Sequence, residues 1–77
     1  MEDRRIIALL FARAERAIEE LANQYGKRLR RLALNILGSS RDAEECENDT
    51  YMAVWNTVPP KRPDPLSGYV YGIGRNI

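Results

Sequence analysis

The 77-residue sequence predicts an all-α fold, a small bundle of three to four helices. Three observations lead there. Apolar residues recur at alternating three- and four-residue spacing from Ile7 to Leu37. A second amphipathic segment opens beyond Gly38 with Ser39, Ser40 and a cluster of acids, the composition of a helix start. No segment supplies the partner that a lone strand would require.

The first stripe runs through Ile7, Leu10, Phe11, Ala14, Ala17, Ile18, Leu21, Tyr25, Leu29, Leu32, Ala33, Ile36 and Leu37. A break at residues 12–15 divides it into helices over about 3–12 and 14–37. Gly26 costs the longer helix about 1 kcal/mol relative to alanine without ending it, and Gly38 closes it because glycine accepts a left-handed conformation. A third helix is expected over 41–57, with Asp42, Glu44 and Glu45 opposing its positive N-terminal dipole. Ala43, Cys46, Thr50 and Val54, with Tyr51 and Trp55, form its core side.

Pro59 and Pro60 end that helix, and the loop over 58–66 holds all four prolines together with Lys61, Arg62 and Asp64. In the last segment the alternation of Tyr69, Tyr71 and Ile73, with Gly68, Gly72 and Gly74, favours a strand, whereas Leu66, Tyr69, Val70, Ile73 and Ile77 are spaced as a helix. Lacking a strand partner, a helix over 67–77 is expected, with Ser67 as its cap and with Leu66, Val70 and Ile73 partly uncovered.

Composition narrows the function. There is no histidine and one cysteine, so the usual neutral-pH proton shuttle and any disulfide or thiolate cluster are missing. Enzymatic chemistry, a catalytic residue, a metal and a cofactor are therefore not expected, and Cys46 reads as a small core residue. No apolar run approaches the roughly 20 residues of a bilayer span, and the charged start followed by Arg13 and Glu15 is unlike a signal peptide, so a cytoplasmic protein is expected. A domain this short buries only about 60% of its unfolded surface and so points to a partner. The net charge of +1 hides segregation: Lys27, Arg28, Arg30 and Arg31 are close together, as are Asp42, Glu44, Glu45, Glu47 and Asp49.

Two sets of residues could carry function. Glu45, Asn48, Asp49 and Met52 fall at i, i+3, i+4 and i+7 on one face of the third helix. Such positions can be plain solvated surface, but a methionine among carboxylates also suits docking on a basic helix. The proline loop with Lys61 and Arg62, next to Tyr69 and Tyr71, suits stacking on unpaired bases.

In order along the chain, these pieces resemble region 2 of bacterial RNA polymerase sigma factors, the sigma-70 superfamily, and within it the extracytoplasmic-function (ECF) group. The run Asp42-Ala43-Glu44-Glu45-Cys46-Glu47-Asn48-Asp49-Thr50-Tyr51-Met52-Ala53-Val54-Trp55 is similar to the family's Asp-Ala-Glu-Asp, Gln-Glu and closing Trp. Tyr25-Gly26 through Ile36-Leu37-Gly38 resembles its tyrosine-bearing helix ending in an apolar pair and glycine, and Pro65-Leu66-Ser67-Gly68-Tyr69-Val70 with Gly72-Ile73-Gly74-Arg75-Asn76 resembles its promoter-reading helix.

The resemblance implies a sigma region 2 domain that docks on the clamp helices of the largest subunit of core RNA polymerase and recognises and melts the minus-ten promoter element on the non-template DNA strand. It implies Glu45, Asn48, Asp49 and Met52 as polymerase contacts. It implies Lys61, Arg62, Asp64 and Ser67 in the base-capturing loop, and Tyr69, Arg75 and Asn76 on the DNA-reading helix. An anti-sigma factor is a further implied partner, and the second DNA-binding domain of such proteins is expected to be absent. The alternative is a helical interaction module, or a sigma-like decoy, that binds polymerase or an anti-sigma factor without reading DNA. Gly72, where the family often has arginine, and the low net charge motivate it.

Overall fold

The computed structural model describes residues 2–76 and contains four helices and no strand among them. They are α1 (Asp3–Phe11), α2 (Arg16–Leu37), α3 (Ser40–Thr57) and α4 (Leu66–Asn76). The all-α bundle is therefore the fold. No helix among the described residues is long and apolar enough to cross a membrane.

Local signals account for the boundaries. The α1–α2 turn is made by Arg13 in a left-handed conformation at φ 57°, uncommon for a residue with a Cβ. Its side chain explains its retention there: Nη1 donates to the carbonyls of Trp55 at 2.6 Å and Val58 at 3.3 Å, while the guanidinium sits 3.8 Å from the Trp55 ring centroid. Helix α3 has no basic residue in its own last turn, so Arg13 supplies from outside the donors that its terminal carbonyls need. At the other end of α2, Gly38 takes the left-handed cap at φ 70°, and Ser39 caps α3 by accepting from the Asp42 amide at 3.3 Å.

Helices α2 and α3 run antiparallel and share the largest interface, with α1 packed on α2 and α4 packed along both. The core is formed by Ile6, Leu10, Leu21, Leu29, Val54, Val58, Leu66 and Val70, all at 0–1% exposure. A smaller cluster of Ala33, Ala43 and Cys46 closes the far end of the α2–α3 pair.

Beyond Ala33 the apolar stripe of α2 outruns the bundle. Leu34, Ile36 and Leu37 are 41%, 54% and 41% exposed, since only Ala33 on that turn finds partners on α3.

Glycine permits the two closest approaches. A Cβ on Gly26 would lie 3.1 Å from both the Glu47 Oε2 and the Tyr51 hydroxyl oxygen, so its absence admits a polar cluster between α2 and α3. There the Tyr51 hydroxyl donates to Glu47 Oε2, and Arg30 Nε, reaching in from an exposed position, donates to Glu47 Oε1 at 2.9 Å. Glu47 is 4% exposed, and these two donors satisfy its carboxylate. At Gly74 a Cβ would fall 2.5 Å from Leu29 Cδ1, and there the Cys46 thiol donates to the Gly74 carbonyl at 3.4 Å.

This approach corrects two expectations. Leu66 and Val70 are fully buried because α4 lies flat on its neighbours, and of the three residues expected to be uncovered Ile73 alone is half-exposed. Ser67 lies inside α4 instead of capping it, because the helix begins at Leu66 directly after Pro65. Ile77, where the last helix was expected to end, lies outside the described residues.

Two tyrosines hold their protons tightly. Burial raises the pKa of the Tyr25 phenol, reinforced by its hydrogen bond to Asp3; burial likewise raises that of Tyr51, reinforced by its bond to Glu47. The unfolded chain releases these protons near pH 10 and the fold resists, so their stabilisation is complete below about pH 10 and declines as pH rises further. The urea midpoint should fall between pH 9 and pH 11, and by less in a Tyr25→Phe/Tyr51→Phe protein; equal falls in both proteins would contradict this assignment. The glycines give a second expectation. Gly74→Ala should destabilise by about 1–3 kcal/mol through overpacking against Leu29, whereas Gly72→Ala, with nothing within 4 Å of the added Cβ, should stabilise by about 0.5–1 kcal/mol in urea unfolding.

Candidate functional site

Helix α3 is divided lengthwise. Ala43, Cys46, Glu47, Thr50, Tyr51 and Val54 face inward and are buried, and the Thr50 hydroxyl donates to the Cys46 carbonyl at 2.8 Å, so no free polar group is left there. Glu45, Asn48, Asp49 and Met52 are all exposed and share the opposite side, Met52 at 48%. The inward helix face fixes this outward one, since the spacing of 3.6 residues per turn leaves no other way to bury Val54 and Tyr51 together.

Met52 also borders an open groove of about 670 Å³ against α2, shared with Trp55, Ile18, Glu15, Glu19 and Arg16, whose guanidinium pairs with Glu20 at 3.8 Å. An apolar strip edged by carboxylates thus extends from α3 onto the start of α2. Its chemistry suits a basic helix with apolar side chains of its own. The contribution of Glu15 and Glu19 was not legible in the sequence, because it depends on the antiparallel pairing of α2 with α3.

The loop over 58–66 lies at the end of the bundle beside α1. Its cations are placed over rings: the Arg62 guanidinium is 4.2 Å from the Phe11 centroid and Lys61 Nζ is 5.8 Å from that of Tyr69. Arg62, Pro63, Asp64 and Pro65 form one wall of an open cavity of about 800 Å³, with Asp3, Ile7 and Phe11 of α1 opposite. Lys61, Arg62 and Asp64 are exposed, while Ser67 is half-buried one turn into α4.

Tyr69 is half-buried, and its hydroxyl is 2.7 Å from that of Thr57, tying α4 to the last turn of α3. Arg75 and Asn76 are exposed at the far end of α4. The structure thus brings the loop residues and Tyr69 to one end and leaves Arg75 and Asn76 about 9 Å or more along the helix, at 1.5 Å per residue from Tyr69.

Between α2 and α4 lies a third surface. Helix α4 runs parallel to α2, since Ser67 lies alongside residues 22–28 and Arg75 alongside residues 28–35. Tyr71 packs edge-on against Tyr25, with ring centroids 5.6 Å apart at 89°, and the Arg28 guanidinium lies 5.4 Å from the Tyr71 centroid. The Lys27–Arg31 charge run signalled this surface in the sequence, but its direction did not. Only the helix pairing shows that Arg30 turns toward Glu47 while Arg28 and Arg31 turn toward α4.

Comparison with known proteins agrees with this architecture. The Sigma-70 region 2 family model matches residues 21–77. The chain is 30% identical over 59 residues to the ECF RNA polymerase sigma factor SigE of Mycolicibacterium smegmatis, a match covering 77% of this chain and 23% of that relative. The chain therefore spans less than a third of the length of the curated relative it matches. No solved structure matches it. With its four helices, its divided third helix and its match over 21–77, the chain belongs to the sigma-70 region 2 family and resembles the ECF group within it.

Proposed function

We propose that this domain serves transcription initiation by docking on the clamp helices of the largest subunit of core RNA polymerase and by recognising and melting the minus-ten promoter element. The observation that carries this reading is the exposure of Glu45, Asn48, Asp49 and Met52 on one side of α3, outside a helix whose other side is fully engaged in the core. Carboxylates around an exposed methionine offer charge complementarity and adaptable apolar contact to a basic helix.

On the same reading Arg62 and Asp64, in the wall of the cavity facing α1, receive an unpaired base of the non-template strand, and Lys61 and Ser67 contact the strand outside that cavity. Tyr69, Arg75 and Asn76 follow that strand along α4. Taking a base out of the stack costs a few kcal/mol. Stacking and pocket contacts return about 1–3 kcal/mol per base, so the pocket must already be in place when the base arrives. Anchoring on polymerase provides that placement. The near-neutral net charge of +1 supports this division of labour, because a domain so balanced has little phosphate-neutralising surface with which to select DNA unaided.

A decoy that docks on polymerase but never reads DNA shares the α3 face and differs only at the loop and α4. Asp49→Arg should weaken binding to isolated clamp helices by at least tenfold in calorimetry without changing the circular dichroism of the chain, and equal binding by both proteins would rule out the docking face. A photocrosslinker at Asn76 or Tyr69 should label a minus-ten single strand within the polymerase complex; persistent absence of labelling with docking intact would favour the decoy.

A further inference from the structure

We infer that Arg13, in the turn between α1 and α2, is a positioning residue for base capture: it fixes the root of the loop over 58–66 and so places the wall that receives an extruded base. This rests on the initiation reading, which gives the loop its base, and it adds a residue that touches neither the strand nor any side chain which that reading names.

Backbone conformation and side-chain partners are the first observation. Arg13 holds φ 57°, a left-handed conformation that glycine adopts freely and a residue with a Cβ resists, so the turn by itself favours glycine here. What the side chain adds lies far along the sequence. Nη1 donates to the Trp55 carbonyl at 2.6 Å and to the Val58 carbonyl at 3.3 Å, 42 and 45 residues away, with the guanidinium 3.8 Å from the Trp55 ring centroid. No ion pair among the described residues includes Arg13, so its charge serves the end of α3 and not a neighbouring acid. Val58 caps α3 in an extended conformation, is fully buried and precedes Pro59. Holding its carbonyl fixes the direction in which the loop leaves the helix.

Connectivity is the second. Phe11 closes α1 two residues before Arg13, and the Arg62 guanidinium lies 4.2 Å from its ring centroid. One short segment, residues 11–13, thus holds the loop at its root through Val58 and at its wall through Arg62. Between these holds the Lys61 amide donates to the Thr57 carbonyl at 3.0 Å. The cavity facing α1 has Arg62 and Asp64 on one side and Phe11 on the other, so both walls are set from the same turn. Docking is set elsewhere, by the inward side of α3. Of the docking strip Arg13 touches Trp55 alone, at the end away from Glu45 and Asn48. A residue that only capped α3 would, on removal, loosen the whole helix and weaken docking and capture together. A positioning residue separates the two.

The test compares Arg13→Gly, Arg13→Gln and Arg13→Lys with the parent chain on core RNA polymerase. A melted promoter fragment carries 2-aminopurine in the non-template strand at each minus-ten position in turn, and its fluorescence rises when that base leaves the stack. Arg13→Gly relieves the turn while deleting the contacts; it should raise the fragment concentration for half signal about tenfold, and Arg13→Gln about as much. Arg13→Lys keeps a charged donor without the planar fork and should recover part of the loss. Binding of each variant to isolated clamp helices should change less than about threefold. In the free chain, trypsin should cleave after Lys61 about fivefold faster in Arg13→Gly, with an Arg5→Gln control, equal in charge, at the parent rate. Capture and docking weakened by the same factor, or cleavage after Lys61 unchanged, would overturn the inference. A parent signal that Arg13→Gly leaves intact overturns the inference alone. No signal from a docked parent chain, with cleavage still faster in Arg13→Gly, overturns the base-capture reading while the hold of Arg13 on the loop stands.

Discussion

The close approach of α2 and α3 at Gly26 is the constraint on which the rest of the molecule depends. With no side chain there, the Glu47 carboxylate reaches the helix interface and is held by the Tyr51 hydroxyl from one turn along its own helix and by Arg30 from α2. A buried acid of this kind adds little net stability over an apolar replacement, because its desolvation offsets its attraction to the partner. Its effect is on rotation. A carboxylate that must meet two donors sets the angle of α3 about its own axis, and that angle turns Glu45, Asn48, Asp49 and Met52 away from the core. The interior of the helix determines what its exterior can do.

Charge follows the same geometry. Helix α3 presents acids outward on one side of the bundle, and α2 presents Lys27, Arg28 and Arg31 on the side where α4 lies. A net charge of +1 thus resolves into two surfaces of opposite sign, one suited to a basic protein helix and the other to a phosphate backbone. On the proposed reading the protein contact of α3 places the loop over 58–66 for its strand. The core of Leu21, Leu29, Val54 and Val70 holds these two surfaces at a fixed spacing.

Much of this was legible in the sequence, for identifiable reasons. The three-and-four spacing, Gly38, Ser39 and the paired prolines located α1 to α3 closely, because caps and periodicity are local. The outward set on α3 followed from periodicity once the inward set was known. What could not be seen depends on how helices face one another. Glu47 sits in a run of acids and looks like solvated surface until Gly26 is brought opposite it. Arg13 reads as an ordinary turn cation until Trp55 and Val58 arrive beneath it. Gly74 weakened the prediction of α4 as a helix, yet it is what lets that helix lie against Leu29; propensity recorded its cost and packing supplies its reason.

The central claim is that the outer side of α3 anchors the bundle so that the loop over 58–66 meets an unpaired base. An electron cryomicroscopy reconstruction of the chain on core RNA polymerase with a melted promoter fragment tests it most directly. The account predicts density for the clamp helices against Glu45, Asn48, Asp49 and Met52, and an extruded base between the loop and α1. A reconstruction with that side of α3 facing solvent, and polymerase contacting some other surface, would contradict it.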